Sequence, residues 1–115
     1  MKILQKEFSS KSFEVKASNK NMRKAYKMQL VMAKAGDIEG KEPVLQIQQA
    51  LDVTNQLVDF ISSVLKLDDD QLEKLDDLES EKTIKIANHI ILRLMGLTDQ
   101  QIKESEEEQK KEEKK

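Results

Sequence analysis

The chain has no cysteine and no tryptophan, a single histidine, a single proline and three glycines, and its aromatics are limited to Phe8, Phe13, Phe60 and Tyr26. Lack of cysteine removes disulfides, thiolate nucleophiles and zinc–thiolate sites, and fits a reducing intracellular setting. His89 has no cysteine to partner it and stands near Lys85, Asn88 and Arg93, which reads as a surface or boundary position in a helix. Gly36, Gly40 and Gly96 are too scattered to form a loop that cradles phosphate. The opening residues, Met1-Lys2-Ile3-Leu4-Gln5-Lys6, lack the apolar run that a signal peptide or membrane span needs. The reading is therefore a soluble, non-enzymatic intracellular protein, with no catalytic residue, metal ligand or cofactor site assigned.

With aromatics at 3% of the residues, a core must be assembled from Leu, Ile, Val, Met and Ala, a mixture typical of helical bundles. A length of 115 residues suits one domain with one modest core. Charged residues make up 37% of the chain, and the net charge of −2 hides a strong segregation. Nine basic residues lie from Lys2 to Lys34, against Glu7 and Glu14 only. From Asp68 to Glu81 the acids Asp68, Asp69, Asp70, Glu73, Asp76, Asp77, Glu79 and Glu81 face Lys74 alone. Such opposed regions either pair within one chain, stay solvated, or steer copies head to tail.

The pattern predicts an all-α fold, a small bundle of about four helices with a short N-terminal extended segment and a charged, flexible tail. Residues 1–102 form the helical domain, and 103–115 the tail. Within the polar first 18 residues, the alternation of Phe13, Val15 and Ala17 suits a short strand or one arm of a hairpin. Ser18 or Asn19 can cap a helix running to about Ala35, stopped by Gly36. Met22, Tyr26, Gln29, Leu30 and Ala33 are expected to line its inner face, opposite Lys20, Arg23, Lys24, Lys27 and Lys34. Gly40 and Pro43 mark the loop into a second helix, and Pro43 suits its first turn. Asp68 and its neighbours start a short helix presenting Leu72, Leu75 and Leu78. A fourth runs from Ser80 or Glu81 to Gly96, with Ile84, Ala87, Ile90, Ile91, Leu94 and Met95 as its apolar stripe. Thr98 and Gln101 have capping-box spacing, Ile102 is the last apolar residue, and Lys103–Lys115 is either disordered or a lone solvated helix.

The second helix is the most informative. Its apolar residues form two seams at alternating steps of three and four: Val44, Ile47, Leu51, Thr54, Val58, Ile61, Leu65, and Ala50, Val53, Leu57, Phe60, Val64, Leu67. At about 100° per residue the seams lie side by side and cover roughly half the circumference. Leaving one in water forfeits about 1.5–3 kcal/mol per large side chain, so the helix needs at least two partners. The expectation is that the first seam builds the core, while part of Ala50, Val53, Leu57, Phe60, Val64 and Leu67 meets a neighbouring copy or another protein.

Three other functions find less support in the residues. The acidic cluster lacks a calcium loop's mid-loop glycine, Glu73 standing in its place, so these acids read as helix-start residues favoured by the macrodipole. The basic helix at 19–35 could neutralise phosphates, making a small DNA-binding regulator the alternative reading, but no aromatics flank it and the chain is net acidic. Membrane-surface binding by the same helix lacks Trp and Phe anchors.

The order of Phe13-Glu14-Val15-Lys16, then Asn19-Lys20-Asn21-Met22-Arg23-Lys24-Ala25-Tyr26 opening a helix, then apolar helices and a charged end, resembles tail assembly chaperones of long-tailed bacteriophages of Gram-positive hosts. The likeness spans the chain as a pattern and transfers no functional residue. It implies a small oligomeric helical protein that coats and solubilises the tape measure protein in the host cytoplasm and is absent from the mature virion. The major tail protein is a further implied partner. Members often have a longer form made by ribosomal frameshifting, and Lys110–Lys115 is compatible with slippery codons.

Overall fold

The computed structural model describes residues 1–35 and 42–113, with side chains of the last helix described as far as Glu107. Two short strands, β1 (Lys2–Ile3) and β2 (Phe13–Glu14), precede five helices: α1 (Asn19–Ala35), α2 (Pro43–Leu65), α3 (Asp69–Asp76), α4 (Ser80–Leu94) and α5 (Asp99–Glu113). The strands pair antiparallel, with Lys2 opposite Glu14 and Ile3 opposite Phe13, as the hairpin reading predicted. The ladder extends one residue further, since the Val15 amide donates to the Met1 carbonyl at 2.8 Å and the Met1 ammonium to the Val15 carbonyl at 2.7 Å. This pairing turns Ile3 and Val15 inward beside Phe8, all three buried.

Ser18 starts α1: its hydroxyl accepts from the Asn21 amide at 3.2 Å. Gly36 and Gly40 lie outside the described residues, so the expected stop of α1 at Gly36 does too. The inner face of α1 differs from expectation. Ala25 and Met28 are buried, and Met22, Val31 and Met32 pack partly against the core. Tyr26, Leu30, Gln29 and Ala33 are exposed. The helix is thus rotated by roughly a third of a turn from the expected orientation. The physical reason is that α1 carries two apolar stripes, and the one with small Ala25 and adaptable methionines allows close approach to α2, whereas Tyr26 keeps its hydroxyl in water.

Pro43 opens α2, where its missing N–H costs nothing. Lys66 ends it in the left-handed conformation (φ 55°), with its own amide and that of Leu67 both donating to the Ser62 carbonyl. Asp68 begins α3 with a reciprocal capping box: Asp68 Oδ1 accepts from the Gln71 amide at 2.8 Å, and Gln71 Oε1 from the Asp68 amide at 3.1 Å. The helix buries Leu75, with Leu72 and Leu78 partly buried. The stripe of α4 is close to expectation, with Ala87, Ile90, Ile91 and Leu94 buried, but Ile86 and Thr83 take the inward place expected for Ile84, which is exposed.

The described residues hold five helices, roughly compatible with the expected four. The additional one follows Gly96, which adopts φ +99°, and starts at the Thr98–Gln101 box: the Gln101 amide donates to Thr98 Oγ1 at 3.2 Å, and the Thr98 amide to Gln101 Oε1 at 2.9 Å. Ile102 is its buried anchor. Of the two states expected for the charged end, the structure has the solvated helix, continuing to Glu113 with Lys103–Glu107 exposed.

Candidate partner-binding surface

Burial in α2 changes along its axis as well as around it. In the second half, members of both seams are in the core: Ile61 and Leu65 of the first, Leu57, Phe60 and Val64 of the second. In the first half, Val44, Ile47 and Leu51 are 72%, 70% and 59% exposed. The division into a core seam and a partner seam is corrected accordingly. Val44, Ile47 and Leu51, expected in the core, face solvent, because the buried cluster takes residues of α2 only from Leu57 onward. Of the six residues expected at a partner surface, Leu57, Phe60 and Val64 are buried within this chain, Val53 and Leu67 partly buried, and Ala50 exposed.

Where the two halves meet, a groove of about 600 Å³ opens between α2, α3, the start of α4 and the end of α1. Ala50, Val53, Leu57 and Val58 form the α2 wall; Leu75, Leu78, Thr83 and Ile84 form the opposite one. The structure thus brings together the first three residues of the second seam, and leaves Phe60, Val64 and Leu67 elsewhere. Ile47 and Leu51 continue the Val58 row beyond the groove, so the apolar lining runs on into the exposed first half of α2. Covering Val44, Ile47 and Leu51 would stabilise a complex by about 1–2 kcal/mol each.

The groove has an acidic side. Asp76 lines it, and Asp77, Glu79 and Glu81 flank its lining residues Leu78 and Ser80. Helix α1, whose last residue Ala35 lines the groove, carries exposed Tyr26 and Leu30 beside Arg23, Lys27 and Lys34. Among the described residues, neither the acids from Asp68 to Glu81 nor the basic residues of α1 form an ion pair within the chain; the pairs present involve Met1, Glu14, His89, Arg93 and Asp99.

Those last residues form a junction that the sequence did not reveal. The Gln5 side-chain amide donates to His89 Nδ1, leaving Nε2 to donate to Asp99 Oδ1 at 2.7 Å. Arg93 Nη2 donates to the Lys2 carbonyl at 2.9 Å and Nη1 to the Leu97 carbonyl at 3.3 Å, while its buried Nε lies 3.7 Å from Asp99 Oδ1. The cluster ties β1, α4 and α5 together, and its groups engage one another except Arg93 Nε, which is buried without a hydrogen-bond partner. His89 sits at the boundary, as expected, with its side chain 22% exposed. A spacing signal existed only for Arg93 and His89, one turn apart on α4; Gln5 and Asp99 are brought in by tertiary structure.

Among the described residues, no group of three or more His, Cys, Asp or Glu side chains is placed to hold a metal ion, and no helix is long and apolar enough to cross a membrane. Comparison with curated proteins and with solved structures found no match. Residues 1–111 match a family described as "Phage tail assembly chaperone proteins, TAC".

Proposed function

The chain belongs to the phage tail assembly chaperone family, and from that premise we propose that it binds and solubilises the tape measure protein during tail morphogenesis. It does so as a non-catalytic homo-oligomer in the cytoplasm of a Gram-positive host, departs before the virion is complete, and meets the major tail protein as a further partner. The observation that carries this reading is the exposed first half of α2. A protein that keeps a long apolar client in solution needs an apolar face of its own, held on a rigid element and surrounded by charge. Val44, Ile47 and Leu51 provide the face, the buried second half of α2 provides the rigidity, and the 37% of charged residues provides the solubility. Ala50 and Val53 extend that face toward the groove, while Leu57, Phe60 and Val64 support it from within the core.

Co-expression with the tape measure protein tests the reading, using the double variant Ile47→Gln, Leu51→Gln. Glutamine retains helix propensity, and both positions are exposed, so the fold is kept. The soluble fraction of tape measure protein should fall to the level seen without the chaperone, while the variant's circular dichroism and melting temperature remain those of the parent. A variant that solubilises the client as well as the parent does would refute the assignment.

A further inference from the structure

We propose that the groove between α2, α3 and α4 receives helix α1 of a second copy of this chain, Tyr26 and Leu30 entering it while Arg23 and Lys34 meet Asp76 and Glu79. The inference rests on the reading that the protein works as a homo-oligomer, and it names the joint between copies.

Three observations converge on this occupant. The groove is apolar inside, with Val53, Leu57, Leu78 and Ile84 in its walls, and acidic at Asp59 and Asp76 of its lining, with exposed Asp77 and Glu79 next in sequence to the lining residues Asp76, Leu78 and Ser80. Helix α1 has the complementary layout: Tyr26 and Leu30, 51% and 61% exposed, form a short apolar stripe, and Arg23, Lys27 and Lys34 run alongside it. At about 100° per residue, Arg23, Lys27, Leu30 and Lys34 follow one line along the helix. Finally, neither charge set forms an ion pair within its own chain among the described residues, so both are available to another molecule. A basic helix with an apolar stripe is the ligand that an acidic-sided apolar groove selects, by helix-in-groove docking steered by opposite charge.

The two patches are different surfaces of the same chain, so the contact is heterologous: each copy offers one helix and one groove, and copies add head to tail. The joint uses the groove and leaves Val44, Ile47 and Leu51 of every copy uncovered. Successive copies therefore present a repeated apolar face to an elongated client.

Charge exchange tests the joint in the full-length chain without any client. One variant carries Arg23→Glu and Lys34→Glu, the other Asp76→Lys and Glu79→Lys; all four positions are exposed, and circular dichroism verifies the fold. Sedimentation at low salt should show self-association weakened roughly tenfold or more in each variant alone. An equimolar mixture should recover it, because each variant's helix then meets a groove of opposite sign. Leu30→Gln should weaken association in the same way. A parent chain that remains monomeric up to about 1 mM, an effect at only one of the two patches, or a mixture that fails to recover would overturn the proposal. Failure here is distinct from failure of the client reading. A chain that does not self-associate yet keeps the tape measure protein soluble defeats this inference alone, and one that associates through this joint yet leaves the client insoluble defeats the other.

Discussion

Two identical substitutions in one helix, Ile61→Ala and Ile47→Ala, should have opposite consequences. Both isoleucines belong to the same seam of α2, but Ile61 is fully buried and Ile47 is 70% exposed. Truncating Ile61 removes three carbons from the contact with the core and leaves a cavity, at a cost of about 2–5 kcal/mol. Against the roughly 5–15 kcal/mol that stabilises a domain, that is a large fraction. With a urea m-value of about 2 kcal/mol/M, the unfolding midpoint should fall by about 1–2.5 M. At Ile47 the lost burial is small, and alanine is the better helix former by a few tenths of a kcal/mol, so stability should stay within about 0.5 kcal/mol of the parent or rise slightly. Urea titrations followed by circular dichroism, at low protein concentration so that association adds nothing, compare the two directly. An Ile47→Ala cost equal to that of Ile61→Ala would mean that the first half of α2 is packed inside its own chain, and the reasoning built on its exposure would be wrong.

Two further outcomes bear on the scaffold. Asp68→Ala removes the acceptor of the α3 capping box and should cost about 1 kcal/mol, read as a lowered melting temperature. Arg93→Ala leaves the Lys2 and Leu97 carbonyls without their guanidinium donors and should cost roughly 1–3 kcal/mol; hydrogen exchange should show the lost protection concentrated around β1 and the start of α5 rather than spread through α2.

What could be read from the residues was mainly local. Ser18, Pro43, Asp68 and Thr98 marked helix starts because capping depends on groups within three or four residues of one another. The Phe13 and Val15 alternation identified a strand for the same reason. Orientation was harder. In α1 both Met22–Tyr26–Leu30 and Ala25–Met28–Met32 satisfy helical spacing, and only the shape of α2 decides between them. In α2 the two seams were visible, but periodicity measures angle around a helix and says nothing about how far its neighbours extend along it. The buried cluster takes α2 residues only from Leu57 onward, which puts Ile61 in the core and leaves Ile47 outside it. The Gln5–His89–Asp99–Arg93 junction was out of reach because its members come from three separate elements.

A helix anchored at one end and bare at the other is answerable to two selections at once. Substitutions around Leu65 are held in check by folding, whereas those around Val44 are answerable only to whatever the chain must grip. Recognition can therefore drift with a changing client while the scaffold stands still, and related chaperones that share this layout should diverge fastest in the opening turns of their second helix.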